Sequence, residues 1–294
     1  MKTAIVTGAG SGLGRAIAVR LARDGFRLAL ADIDAAGNEA TLDLVREAGG
    51  SGDTEILDVA DAAAWQSLRE RLEQRWQHLD LLVNNAGVGA SGEVGSMPLA
   101  DWQWTINTNL MGTVYGCHEM VPWLKRNPGG ASIVNIASLA GVLSAPSMGA
   151  YSVSKAGMIA LSETLYAELR GQKIAVVCVC PGFFATEIVA RGRFDTEHQR
   201  QSALRYMRRS RISSEGVADR IVRAIRRKQL YVFAPARAWL LWRLKRAMPS
   251  ALLRLVGAGY RRRKAQLAAA NAPPAAEATA ATDAPRSTTA EIRR

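Results

Sequence analysis

Residues 3–32 restrict the possible folds of this chain more than any other stretch. Ala4-Ile5-Val6 is an apolar run short enough for a buried strand. Thr7 then opens a glycine-rich turn containing Gly8, Gly10, Gly12 and Gly14. Leu13, Ile17, Ala18, Leu21 and Ala22 recur at helical spacing, and Phe26 to Leu30 reads as a second buried strand ending at Asp32. Glycines in a strand–turn–helix–strand unit let the backbone approach a pyrophosphate without a Cβ in the way. The helix N-terminus behind them offers free N–H groups and partial positive charge to that anion. A carboxylate about 20 residues on, here Asp32, suits the hydroxyls of an adenosine ribose. Glycines serving only a tight turn would not require that helix, second strand and acidic residue.

The same alternation continues. Helices are expected over 35–48, 61–77, 99–126, 149–170 and 214–227. Strands are expected at Glu55–Leu57, Leu79–Val83, Ser132–Ile136, Ile174–Val179 and Leu230–Phe233. Residues 183–212 read as irregular. Trp65, Leu68, Leu72 and Trp76 share a helical face and are expected in the core. Strands alternating with helices predict an α/β fold, a doubly wound parallel sheet of about seven strands with helices on both faces. Right-handed crossovers put Gly8, Asp32, Asp58, Asn85, Ser138 and Pro181 at one sheet edge, where ligands bind in such folds.

Tyr151 and Lys155 are four residues apart on a predicted helix and share a face. An ordinary tyrosine, with a pKa of about 10, is a poor base at neutral pH, and a nearby ammonium lowers that value. A tyrosine so tuned can exchange a proton with an alcohol or ketone while Ser138 holds the substrate oxygen. A solvated helix face is the bland alternative for Tyr151 and Lys155; the nucleotide pattern on the same chain argues against it.

Together these motifs resemble the short-chain dehydrogenase/reductase family, with a Rossmann-type fold. The resemblance rests on Thr7-Gly8-Ala9-Gly10-Ser11-Gly12-Leu13-Gly14, Asn84-Asn85-Ala86-Gly87 and Asn109 within Asn107 to Gly112. Ser138 after Val134-Asn135-Ile136-Ala137, Tyr151 to Lys155, and Pro181-Gly182-Phe183-Phe184-Ala185-Thr186 complete it. It covers about residues 2–233. It implies Tyr151 as acid/base, Lys155 lowering its pKa and holding the nicotinamide ribose, Ser138 orienting substrate, and Asn109 anchoring a relay water. A helix-interior Asn bonded to backbone is compatible with that last role. It also implies cofactor contacts from Gly8, Gly10, Ser11, Gly12, Leu13, Gly14, Asp32 and Ile33. Asp58 and Val59 would flank the adenine, and Asn85, Ala86 and Gly87 would line the cofactor. Pro181, Gly182, Phe184 and Thr186 would close over the nicotinamide. A homodimer or homotetramer through helices 99–126 and 149–170 is implied as well.

Asp32 repels a 2′-phosphate, and Ser11 and Ile33 are not basic, so NAD is expected over NADP. Hydride transfer between a secondary alcohol and a carbonyl is the expected reaction. A non-catalytic dinucleotide-binding regulator or scaffold is the competing class; it predicts a lost Tyr or Lys, and both are present. A membrane-surface reductase using NADPH is a further alternative. Leu139, Val142, Leu143, Ala145, Pro146 and Met148, with Phe183, Phe184, Ile188, Val189, Phe194, Leu204 and Met207, suggest a lipophilic alcohol or ketone, or else lid packing. Arg191, Arg193, Arg200, Arg205, Arg208, Arg209 and Arg211 read as solvated, although they would also suit an acidic substrate.

The charge is uneven. The chain carries +12, yet Arg220 to Lys264 alone holds 14 Lys/Arg and no Asp/Glu. Catalytic residues are expected within 1–236. Residues 237–264 read as a basic amphipathic extension of two short helices divided at Pro249. Trp239, Leu240, Leu241, Trp242 and Leu244 beside basic residues fit a helix lying in an anionic membrane surface. Packing on the sheet edge, the active-site mouth or a partner subunit fits equally. Nucleic acid is disfavoured, because no recognition motif accompanies the charge. Residues 265–294 are expected to be disordered. The three cysteines suggest no disulfide framework, and no Cys/His cluster has zinc spacing, so no metal is expected. No apolar run reaches bilayer-spanning length and no signal peptide is read, so a cytoplasmic location is expected.

Overall fold

The computed structural model describes residues 1–182, 188–208, 210 and 212–270. Phe183, Phe184, Thr186, Arg209, Arg211 and residues 271–294 lie outside the described residues. The chain begins β1 (Lys2–Thr7), α1 (Gly12–Arg23), β2 (Phe26–Asp32), α2 (Ala35–Glu47), β3 (Ser51–Ile56), α3 (Ala62–Glu73) and β4 (Leu81–Asn84). A short strand β5 (Ala90–Ser91), α4 (Leu99–Ile106), a π-helical turn (Asn107–Met111) and α5 (Gly112–Lys125) follow. Next come β6 (Ala131–Ile136), α6 (Leu139–Leu143), α7 (Gly149–Glu168), β7 (Ile174–Pro181), β8 (Arg193–Phe194) and α8 (Glu197–Arg208). The last elements are α9 (Ser214–Arg227), β9 (Tyr231–Ala234), α10 (Ala238–Ala247) and α11 (Pro249–Ala270).

Seven strands form one parallel sheet in the order β3-β2-β1-β4-β6-β7-β9. The chain winds outward from β1 in both directions, which opens a crevice between the C-terminal ends of β1 and β4. Side chains alternate across the sheet. Val6, Leu30 and Val83 pack with Ile17, Leu21 and Ile221 on one face; Ile5, Leu82 and Ile133 pack with Trp65, Leu68 and Trp123 on the other. Both faces are covered, which explains the near-continuous apolar strands. Trp65, Leu68, Leu72 and Trp76 are buried as expected.

Several elements differ from the sequence reading. The helix expected over 99–126 runs from Leu99 to Lys125 and contains one π turn, Asn107–Met111, within which Asn109 is buried. The 183–212 stretch contains α8 and β8, and β8 pairs with β5 as a small separate ribbon. Helix α11 continues to Ala270, through the start of the expected disordered tail; an alanine-rich stretch has high intrinsic helix propensity. The extension does divide into two helices, ending at Ala247 and beginning at Pro249.

Candidate active site

The glycine turn sits at the crevice. Gly8 has φ +63°, and a Cβ there would lie 2.8 Å from Ala86 Cα. Thr7 Oγ1 accepts from the N–H groups of Asn85 (2.9 Å) and Ala86 (3.0 Å), and Asn85 Nδ2 donates to Thr7 O at 2.8 Å. These bonds tie the ends of β1 and β4 together. Ser11 stands at the N-cap of α1 with no side-chain capping bond, and Ser11, Gly12 and Leu13 line the crevice. Asp32, buried at the end of β2, accepts from Gly10 N (2.9 Å) and Asp34 N (3.0 Å). Two carboxylate oxygens have about four acceptor sites, so Asp32 keeps capacity for further donors.

Ser138, Tyr151 and Lys155 converge opposite this turn. Ser138 ends the β6 connection; its hydroxyl caps α6 by accepting from Ala140 N at 3.0 Å. Tyr151 lies on the first turn of α7 and lines the same cavity as Ser138. One helical turn later, Lys155 Nζ donates to Ile136 O at 2.8 Å and approaches Met158 Sδ at 3.3 Å. Its ammonium stands 5.9 Å from the Tyr151 ring centre. Asn109 is fully buried: its Oδ1 accepts from Val88 N (2.7 Å) and its Nδ2 donates to Val88 O (3.0 Å) and Ser154 Oγ (3.1 Å). Its side chain therefore holds the loop after β4 against α7.

Desolvation opposes the expected lowering of the tyrosine pKa. Burial raises the Tyr151 phenol above its ordinary value, and the nearby Ser138 hydroxyl offsets only part of that. Lys155 is itself disfavoured as a cation: burial lowers its pKa to about 8.

These groups line one cavity of about 1120 Å³. Gly8, Ser11, Gly12, Leu13, Asp32, Ile33, Asp58, Val59, Asn85, Ala86, Gly87, Pro181 and Gly182 reach it, as do Ser138, Tyr151 and Lys155. Gly10, Gly14 and Asn109 lie behind the wall. A Cβ on Gly14 would meet Gly8 O at 1.9 Å, and one on Gly10 would meet Asp32 Oδ2 at 3.0 Å. Among the described residues no group of three or more His, Cys, Asp or Glu is gathered for a metal ion.

The family model for short chain dehydrogenases matches residues 2–196. The chain belongs to the short-chain dehydrogenase/reductase family. A short-chain dehydrogenase/reductase from Burkholderia phymatum, crystallised in complex with NAD, is 34% identical, with a TM-score of 0.79 over 84% of this chain and 93% of that one. “Probable oxidoreductase EphD” of Mycobacterium tuberculosis is 34% identical over 84% of this chain and 43% of its own length. The chain thus spans less than half of EphD. D-threitol dehydrogenase of Mycolicibacterium smegmatis is 37% identical over 64% of this chain and 72% of its own length.

In this short-chain dehydrogenase/reductase the cavity lies at the switch point of the sheet, between β1 and β4. The rest of the cavity comes from segments whose part the sequence left open. Leu139, Leu143, Met148, Ile188, Val189 and Phe194 form apolar wall, whereas Val142 turns into the core. Arg191 and Arg193, read as solvated, are paired: Arg191 with Asp34 at 2.6 Å, and Arg193 with Asp101 at 2.6 Å while stacking on Trp104.

The mouth is completed by α11, which the family match does not reach. Tyr260 accepts from Ser147 Oγ at 3.0 Å and donates to Glu93, and Lys264 pairs with Glu93 at 2.7 Å. These bonds hold the Glu93 carboxyl below its usual range. Arg263 donates to Ser202 at 2.8 Å on α8. The signal for this inward face was in the sequence: Leu252, Val256, Tyr260, Arg263 and Leu267 recur every three or four residues and are all partly buried. Helix α10 packs on the sheet edge instead, with the Trp242 ring 5.3 Å from Tyr231 and 5.8 Å from Phe233.

Proposed function

We propose that this chain interconverts a secondary alcohol and a ketone or aldehyde with a nicotinamide dinucleotide, preferring NAD. The observation that carries the reading is the convergence of Ser138, Tyr151 and Lys155 on the cavity that also holds the glycine turn and Asp32. The residues fit such a cofactor. A Cβ at Gly8 would collide with Ala86 and Asn85 and displace the turn that lines the cavity, the N-terminal N–H groups of α1 lack a side-chain cap, and Asp32 retains acceptor capacity for a ribose. When bound, the nicotinamide supplies or accepts the hydride. Ser138 and Tyr151 would hold the substrate oxygen between two hydroxyls. Tyr151 would pass a proton to the substrate oxygen in reduction and take it back in oxidation. Lys155 Nζ, beside Gly87, would reach the nicotinamide ribose. Asn109 would act by position, keeping Val88 and α7 in register.

The apolar walls support a lipophilic substrate. The name of the D-threitol relative does not argue against this, because α8 and α11 lie outside the family match. A second reading, NADP, is favoured by Arg191, which pairs with Asp34 beside the end of β2. Fluorescence titration of NADH and NADPH into wild type, Asp32→Ala and Arg191→Ala separates the two. NAD preference predicts tighter NADH binding that Asp32→Ala abolishes. Equal or tighter NADPH binding, lost in Arg191→Ala, refutes it.

A further inference from the structure

Only one side of each C-terminal helix is used by the fold. The other side of α10 exposes Trp239, Leu240 and Leu244, and α11 exposes Leu255, which is 70% accessible. Arg243 stacks over Trp239 at 4.6 Å, and Arg254, Arg261 and Arg262 are exposed on α11. No acidic residue interrupts the sequence from Arg220 to Lys264. Exposed leucines and a tryptophan set among arginines form a surface that needs an apolar and anionic partner together.

We propose that α10 and α11 dock this protein on an anionic phospholipid bilayer. The sign and texture of the surface select that occupant. A second copy presenting the same patch would set arginine against arginine, and like charges repel. Nucleic acid would satisfy the arginines, but Leu240, Leu244 and Leu255 offer nothing to a phosphate backbone. Anionic headgroups satisfy the arginines, and the acyl boundary accepts tryptophan and leucine. No described helix is long and apolar enough to cross a membrane, so the arm lies on the surface. The placement also deepens the functional reading on which it rests. Tyr260, Arg263, Lys264 and Leu267 of the docking helix line the cavity mouth. A ketone or alcohol dissolved in the bilayer would enter beside α11 with little exposure to water.

Flotation of the full chain with phosphatidylcholine vesicles, with and without phosphatidylglycerol, tests this. Wild type is expected to float with the anionic vesicles, to stay behind with pure phosphatidylcholine, and to be released by salt. Each arginine contributes roughly fivefold to partitioning, so R254Q/R261Q/R262Q should weaken it by about 100-fold. L240D/L244D should weaken it by more than about tenfold through lost insertion. Wild type that ignores phosphatidylglycerol vesicles overturns the proposal, as do variants that float like wild type. Variants that instead change the sedimentation coefficient assign the patch to self-association and overturn it too. So does duplex DNA capture without flotation. NADH titration on the same proteins keeps the readings apart. Unchanged NADH binding with lost flotation isolates the arm, whereas absent NADH binding in wild type is a failure of the cofactor reading alone.

Discussion

Replacing Gly14 with alanine should break the site from beneath. The new Cβ would lie 1.9 Å from Gly8 O, 2.6 Å from Asn85 Nδ2 and 2.7 Å from Gly8 C. The first distance falls about 1.5 Å short of ordinary van der Waals contact. Two of those atoms are backbone, and Asn85 is pinned by its bond to Thr7 O, so no flexible side chain can yield. Overpacking costs about 1–3 kcal/mol, and a clash with backbone belongs at the upper end. Alanine returns up to about 1 kcal/mol of helix propensity within α1. The net loss is roughly 2 kcal/mol, or about 4–8 °C in Tm for a domain of this size. The turn must shift away from α1, so NADH affinity should fall by more than about tenfold. Gly95→Ala is the control, since a Cβ there meets nothing within 4 Å and needs no unusual φ. Thermal unfolding and NADH fluorescence measure both effects. A Gly14→Ala protein that melts with wild type and binds NADH within about twofold would refute the reasoning.

Two further perturbations follow from the same geometry. Burial lowers the Lys155 pKa to about 8, so the free enzyme loses this cation as pH rises through that value. The apparent affinity for NADH should fall above about pH 8 in wild type, and Lys155→Met should lose that pH dependence along with most of the affinity. Trp242→Ala removes the ring seated on Tyr231 and Phe233; a half-buried tryptophan should cost about 2 kcal/mol, with faster proteolysis at Arg237 and Arg243 as α10 detaches.

The central sheet was legible because its strands are buried on both faces. Val83, Ile133 and Val177 sit in apolar runs that only a covered parallel sheet explains. The glycine turn, Asp32 and the Tyr151–Lys155 pair were legible because each depends on local spacing. Elements governed by distant contacts were harder to read. β3 starts at Ser51 rather than Glu55; its edge position leaves Gly52, Asp53 and Thr54 only half-buried, without an apolar signature. The π turn depends on Asn109 reaching Val88, 21 residues away. The mouth depends on Lys264 meeting Glu93, 171 residues away, and composition alone read that arm as equally suited to membrane, mouth or partner. Spacing places an ammonium near the Tyr151 phenol, but it does not reveal that this ammonium donates to Ile136 O or that Lys155 is buried.

On the proposed function, this cavity transfers hydride under proton control by Tyr151. The direct test is to incubate nicotinamide-deuterated NADH with a lipophilic ketone and follow the label, for wild type and Tyr151→Phe. The account predicts deuterium on the carbinol carbon with wild type. It predicts turnover reduced by about 10²–10⁴-fold in Tyr151→Phe, with NADH affinity unchanged within about twofold. No transfer to any secondary-alcohol product across a ketone panel, or a Tyr151→Phe protein as active as wild type, would contradict it.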